Sequence, residues 1–196
     1  MKKTLIILGV VAVVIIVIYS TFKGNYNNLV KYDEGVKSAW SSVESQYQRR
    51  ADLIPNLVST VKGYAEHESS TLEAVVAARA SATKTTINVE DLSESSMQQF
   101  NKAQGELSSA LSRLLVVSEN YPDLKANENF RDLQAQLEGT ENRIATERKR
   151  YNDTVINYNS YVRSFPRNIL ASMFGFETKP YYEAEAGSEK APEVKF

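Results

Sequence analysis

From Leu5 to Tyr19 the chain is an unbroken apolar run, preceded by Lys2 and Lys3 and followed by a charged, helix-patterned sequence with no comparable stretch. Such a run is too apolar to leave in water. Its leucines, isoleucines and valines together favour insertion into a bilayer by about 4 to 7 kcal/mol. With Thr4 and Ser20 to Phe22 added, the segment is close to the roughly 20 helical residues that span a hydrocarbon core. A cleaved signal peptide would end in small residues at an A-x-A-like site. None follows here, because a cut after Ser20 places Ile18 third before it and a cut after Gly24 places Phe22 there. The chain has no cysteine, which excludes a lipid-modified N-terminal cysteine. Residues 1–24 are therefore read as a retained signal-anchor that meets the lipid bilayer through Leu5 to Phe22. Lys2 and Lys3 lie on one side of it and Lys23, Lys31 and Lys37 on the other. The charges nearest the apolar run set the expectation that the soluble domain lies outside the cytoplasm.

The remaining length suffices for one domain with a real core. The full chain's 23 Lys and Arg are balanced by 24 Asp and Glu, so there is no basic excess to grip nucleic acid through phosphates. Residues 178–196 are rich in Glu, Ala, Lys, Pro and Gly and are expected to form a disordered acidic tail. Residues 25–177 form the domain.

Within the domain, apolar residues recur at three- and four-residue steps, as in helices packed along a coiled-coil-like seam. The first helix presents Leu29, Val36, Trp40, Val43 and Tyr47, and the second presents Leu57, Val61, Tyr64, Leu72 and Val75. The third carries Met97, Phe100, Leu107, Leu111 and Leu114. The last carries Phe130, Leu133, Leu137, Ile144, Tyr151, Val155, Tyr158, Val162 and Phe165. Pro122 ends the third helix and Asn127 is placed to cap the fourth. Asp91 offers an N-cap to the third helix, with Glu94 three residues on as its capping box. At Pro55 the apolar phase runs through without a slip, so a kinked continuous helix is one reading. The pattern D-L-x-x-N shared by residues 52–56 and 123–127 favours a turn instead.

The expected fold is thus all-α, an antiparallel four-helix bundle following a single transmembrane helix. In that topology the turns at 52–56 and 122–127 both lie at the membrane-distal end. The last helix returns toward the bilayer with an apolar cluster of Phe165, Ile169, Leu170, Met173, Phe174 and Phe176. That cluster either lies in the interface or packs on the protein's own first helix.

Two stretches carry a resemblance. Gln48 to Val58, continued by Val61 to Ala65 and His67-Glu68, is similar to the LemA family. So is Glu119 to Phe130, followed by Glu141 to Ala145, Arg150 to Asn152, Tyr158-Asn159 and Phe165-Pro166. The resemblance implies a bacterial, membrane-anchored helical protein of the inner membrane, with no established biochemical activity. It also implies possible partners, a membrane metalloprotease or a TPM-domain membrane protein, on the associational ground of gene neighbourhood.

The residues themselves offer little chemistry. A di-iron bundle needs two Glu-x-x-His motifs, and the single histidine, His67, follows Tyr64 at that spacing. The same count excludes a zinc site built on His or Cys. His67 has no identifiable Ser partner, and Gly-rich phosphate loops are absent. No cofactor is expected. Asp52, Asp123 and Glu128 form the remaining candidate acid–base set, but aspartates beside helix starts usually cap free N–H groups. Arg49, Arg50, Asp52, Asn56, Asp123, Lys125 and Asn127 are read as one distal cluster, either locking the two turns together or docking a partner. Glu141 and Arg148 occupy seam positions seven apart, where polar residues set register or an oligomer interface or else lie at the solvated edge of the seam. Tyr151 and Tyr158 read as core with a wet hydroxyl. A minor reading has Val194-Lys195-Phe196 feeding a carboxylate pocket by strand addition. The functional expectation is a noncatalytic membrane-anchored scaffold or adaptor that self-assembles. The alternatives are an accessory subunit of an envelope hydrolase, an uncharacterised enzyme or a ligand sensor.

Overall fold

The computed structural model describes residues 2–182, and across them the chain forms helices joined by short turns, with no strand. Helix α1 (Lys2–Lys62) is one helix of 61 residues, about 90 Å long at 1.5 Å per residue. Its large apolar residues from Leu5 to Phe22 are all open, between 45 and 68% exposed. Leu29 is its first buried residue. The helix thus has an apolar half that stands clear of the domain and a second half that belongs to the core.

The turn expected at 52–56 does not form, and α1 passes straight through Pro55. Proline lacks an N–H, so the carbonyl one turn back, on Ala51, loses its helical donor. Arg79 Nε replaces that donor at 2.7 Å. With the orphan acceptor satisfied, the helix keeps Ile54, Leu57 and Val61 buried on the same stripe as Val43 and Tyr47. Burial of the stripe prevails over the local break.

The chain reverses later, at Gly63 to Ala65, and a 3-10 turn (Glu66–Glu68) leads into α2 (Ser69–Lys84). A second 3-10 turn (Val89–Asp91) precedes α3 (Glu94–Ser118). The cap of α3 is Ser93, in a reciprocal box with Ser96. The expected Asp91 and Glu94 pair is displaced, because Asp91 lies inside the 3-10 turn and Glu94 is already helical. Helix α4 (Pro122–Ala126) is a single turn with Pro122 at its start. Asn127 then caps α5 (Glu128–Arg163) by accepting from the Phe130 N–H at 3.0 Å, as its position predicts. Helix α6 (Arg167–Met173) follows and ends at Gly175, whose φ of 75° only glycine adopts at little cost.

Helices α1 and α5 run antiparallel. Asn25 meets Tyr161, Tyr47 meets Arg148 and Arg50 meets Glu141, so partner numbers fall as α1 numbers rise. Helix α2 turns back along α1, and α3 reverses again against α2, with Gln104 of α3 donating to the Ala82 carbonyl. Two apolar clusters result. The near one, toward the apolar half of α1, gathers Val36, Trp40 and Tyr47 with Phe100, Tyr151 and Tyr158. The far one gathers Ile54, Leu57 and Val61 with Leu107, Leu114 and Phe130. Trp40 meets Phe100 and Tyr151 edge-on at 5.3 and 5.5 Å, geometry that suits aromatic quadrupoles.

Candidate functional site

Between the two apolar clusters sits a polar layer centred on Arg50, which is 1% exposed. Its Nη1 donates to Glu141 Oε1 at 2.8 Å and to Ser108 Oγ at 2.9 Å, and its Nη2 donates to Gln104 Oε1 at 2.6 Å. One guanidinium therefore ties α1 to both α3 and α5. A buried cation needs such partners to offset lost hydration. Seven residues along α5 from Glu141, Arg148 donates from Nε to Tyr47 Oη at 2.7 Å, with Nη2 directed at the same oxygen. Both seam residues singled out from the sequence thus hold α5 against α1.

The cluster expected at the distal turns divides. Because α1 continues to Lys62, Arg50 lies about 18 Å along the helix from its end, within the core rather than at a turn. Arg49, Asp52 and Asn56 are exposed on α1, and Asp52 accepts from Gln48 at 2.8 Å. Asp123, Lys125 and Asn127 sit at the far end, where Lys125 pairs with Glu119 at 2.5 Å. Among the described residues, no hydrogen bond or ion pair joins these two groups. The far end is closed instead by Asn127 donating to Tyr64 Oη at 2.9 Å and by Tyr121 donating to Glu68 at 3.1 Å. Exposed Asn56 lines a shallow polar groove between α1 and α5, with Thr60, Asn129, Asp132 and Gln136. Glu128 and His67 are exposed, and no group of three or more His, Cys, Asp or Glu comes together among the described residues.

At the near end, α6 lies beside α1. Leu170 and Ala171 are buried, whereas Phe165, Ile169 and Met173 are 81, 55 and 65% exposed. Phe174 meets Tyr26 edge-on at 4.9 Å, and Phe176 meets it at 6.0 Å. An apolar hollow formed by Tyr19, Phe22, Lys23, Tyr26 and Phe174 joins this cluster to the apolar half of α1. Packing on the protein's own first helix is therefore met by Phe174 and Phe176, while Phe165 and, on the other face of α6, Ile169 and Met173 stay open.

Glu177 to Tyr182 forms an extended strap along α5. Residues 178–182, expected to lack structure, are held closely, and residues 183–196, with Val194-Lys195-Phe196, lie outside the described residues. Asn159 accepts from the Lys179 N–H at 2.8 Å and donates to its carbonyl at 2.9 Å. Asn152 does the same to Tyr182, at 2.7 and 2.9 Å. Tyr158 Oη donates to the Glu177 carbonyl at 2.7 Å, and Tyr151 Oη donates to that of Pro180 at 2.9 Å. Burial pushes both phenols well above the ordinary range, and at Tyr158 the nearby Asp33 and Glu177 act in the same direction. The Tyr182 ring lies 4.4 Å from the Arg148 guanidinium, and its hydroxyl is 2.7 Å from that of Tyr47. Lys179 reaches Asp33 at 3.6 Å, beside Lys37, which Glu90, Glu34 and Asp33 hold firmly charged. The Tyr-Asn pair repeated at 151–152 and 158–159 is the sequence signal for this arrangement, since an asparagine amide can satisfy both polar groups of one peptide residue.

Comparison with known proteins supports the resemblance carried by the motif stretches. The model of the LemA family matches residues 39–196. Magnetosome protein MamQ 2 of Paramagnetospirillum magneticum is 27% identical, across 94% of this chain and 74% of that protein. Magnetosome protein MamQ of Magnetospirillum gryphiswaldense is 25% identical, across 93% and 74%. Protein LemA of Metamycoplasma hominis is 22% identical, across 86% of this chain and 73% of its own length.

Proposed function

We propose that this chain, which belongs to the LemA family, is a noncatalytic scaffold or adaptor of a bacterial membrane, a single-pass protein whose antiparallel four-helix bundle docks and assembles proteins at a fixed height above the bilayer. One observation carries this reading. Helix α1 runs without interruption from its exposed apolar half into the centre of the domain core. A flexible linker would let a tethered domain tumble, whereas one helix transmits position and orientation rigidly. That property suits a protein whose work is to place others.

The polar side chains agree with this. Arg50, Glu141, Arg148 and Tyr47 are engaged in holding helices together, which leaves them poorly placed to act on a substrate. The exposed polar groups Arg49, Asp52 and Asn56, beside the groove between α1 and α5, offer a docking face with planar and charged contacts. The exposed apolar residues of α6 lie against the bilayer surface and fix the tilt of the domain. The charges flanking the apolar run support a domain outside the cytoplasm. Relatives named as magnetosome proteins alongside a protein LemA fit one module used in different assemblies.

The test is extraction of the full chain from its native membranes in gentle detergent, with the mass of the complex and its protein composition measured. A discrete assembly is expected. Arg49→Ala and Asp52→Ala change exposed residues, so a partner lost from these variants while the fold persists would locate the docking face. A lone monomer would overturn the scaffold reading.

A further inference from the structure

The strap on α5 follows a rule that repeats. Each Tyr-Asn pair reads two positions of an extended chain: the tyrosine hydroxyl donates to a carbonyl, and the asparagine amide clamps both polar groups two residues later. Tyr158-Asn159 reads Glu177 and Lys179, and Tyr151-Asn152 reads Pro180 and Tyr182. The pairs are seven residues apart on the helix, about 10.5 Å. Their targets are three residues apart in an extended chain, about 10 Å. The two repeats therefore match in length, and Pro180 stands where only a carbonyl is used.

This is how a protein binds a peptide, through main-chain hydrogen bonds for affinity and a few side-chain pockets for choice. The pockets are specific. One places a lysine at Asp33, and the other sets an aromatic ring against the Arg148 guanidinium with its hydroxyl on that of Tyr47. Tyr182 is only 6% exposed there.

We infer that the Tyr-Asn repeat of α5 is a peptide-binding site for the segment Glu177–Tyr182, and that in the assembled protein a second copy of this chain supplies that segment. The inference rests on the self-assembly proposed above and specifies its contact. An exchanged strap makes every contact the resident strap makes, so exchange alters only the joint. The joint is Gly175-Phe176, with Gly175 in the left-handed region at φ 75° and Phe176 between it and the strap. The strap also runs in a direction that suits exchange. From Glu177 to Tyr182 it passes from Tyr158 to Asn152, away from the end where Tyr161 meets Asn25. A two-fold axis along the bilayer normal preserves that direction, and anchoring through the same helix presents every copy's clamp at the same height. Confinement to one surface further raises the effective concentration of neighbouring straps.

The test uses two differently tagged full-length copies in native membranes. Each carries a photoreactive phenylalanine analogue in place of Tyr181, which is 46% exposed and makes none of the clamp contacts. Illumination is followed by adduct mapping and by size measurement in gentle detergent. The expected result is an adduct between position 181 of one chain and α5 of the other near Asn152. Excess peptide Glu-Thr-Lys-Pro-Tyr-Tyr should compete it away, and the same peptide N-methylated at the lysine and the last tyrosine should not. Combined Asn152→Ala and Asn159→Ala substitution should reduce the intermolecular adduct by about tenfold or more, as expected when two pairs of net-favourable hydrogen bonds are lost. The competition arm keeps the test decisive if that variant folds poorly. Adducts confined to one chain, in a preparation that still sizes as an oligomer, would overturn exchange and leave self-assembly standing. A monomer with only internal adducts would overturn both. An adduct to a different protein would overturn the second copy as occupant.

Discussion

Arg50 Nη1 meets Glu141 Oε1 at 2.8 Å with the two side chains in unequal surroundings, the arginine 1% exposed and the glutamate 48%. That asymmetry predicts unequal costs. Glu141→Gln keeps an acceptor at the same position and leaves Gln104 and Ser108 on the guanidinium, so it should cost about 1 kcal/mol or less. Arg50→Ala removes a buried stem and orphans the buried Gln104 acceptor, and should cost about 3 kcal/mol. In thermal unfolding, the arginine variant should melt lower by about 6 to 12 °C. Equal losses would mean that the ion pair, rather than the layer around Arg50, carries the stability.

Pro55 and Arg79 should be energetically coupled. Arg79 donates to the Ala51 carbonyl that Pro55 leaves without a helical partner. Arg79→Ala should therefore cost about 1 to 3 kcal/mol, the penalty for an unsatisfied buried acceptor. In a Pro55→Ala background, the introduced alanine supplies a backbone N–H to that carbonyl, and the cost of losing Arg79 should shrink. Denaturant unfolding of the four chains closes a double-mutant cycle. Additive losses would show that Arg79 acts through its other packing contacts.

These two sites also show where sequence reasoning reaches and where it stops. The stripes are legible because burial of period 3.6 is a property of many residues at once. Leu29, Val36, Trp40 and Val43 on α1 and Phe130 to Val162 on α5 are all buried as the spacing requires. Tyr64, midway along the second stripe but in the turn after α1, and Phe165, at the end of the last, are exposed. Pro55 misleads because its compensating donor comes from a residue on another helix, which no local pattern records. Arg50 falls at a turn in the sequence reading for the same reason, although its spacing from Tyr47 and Ile54 already puts it on the buried face. The strap escapes because residues 178–182 lack the apolar content that signals burial. They are held through their backbone, and the signal lies in the repeated Tyr-Asn pairs of α5.

Alkaline pH should loosen the strap and the near core together. Burial raises the Tyr151 and Tyr158 phenols above their unfolded value near 10. A raised folded-state pKa contributes stability that is fully present below the unfolded pKa and is lost as pH rises through the folded one. Stability should therefore hold up to about pH 10 and fall above it. A phenolate absorbance titration should show these two tyrosines ionising only as the domain unfolds. In Tyr151→Phe and Tyr158→Phe the alkaline slope should be shallower, at the expense of one strap hydrogen bond each. An unchanged slope in both would assign the alkaline loss to other groups.

The exposed face of α6 predicts a membrane contact separate from that of the apolar half of α1. Ile169 and Met173 lie one turn apart and are 55 and 65% exposed, while Leu170 and Ala171 hold the opposite face to the domain. Substituting Ile169→Asp and Met173→Asp should leave the melting temperature nearly unchanged, because neither side chain fills the core. Depth in the bilayer can be read from a Phe174→Trp reporter, placed against Tyr26 at the end of the apolar run, with brominated lipids as quenchers. The native tryptophan, Trp40, is fully buried between α3 and α5 and lies three to four helical turns farther from the apolar run, so it gives a quench-resistant background. Quenching of the reporter should be strong in the otherwise unaltered chain and should fall in the double aspartate variant, because charge is costly in the acyl region. Equal quenching in both would mean that α1 alone sets the depth and that the apolar face of α6 meets protein rather than lipid.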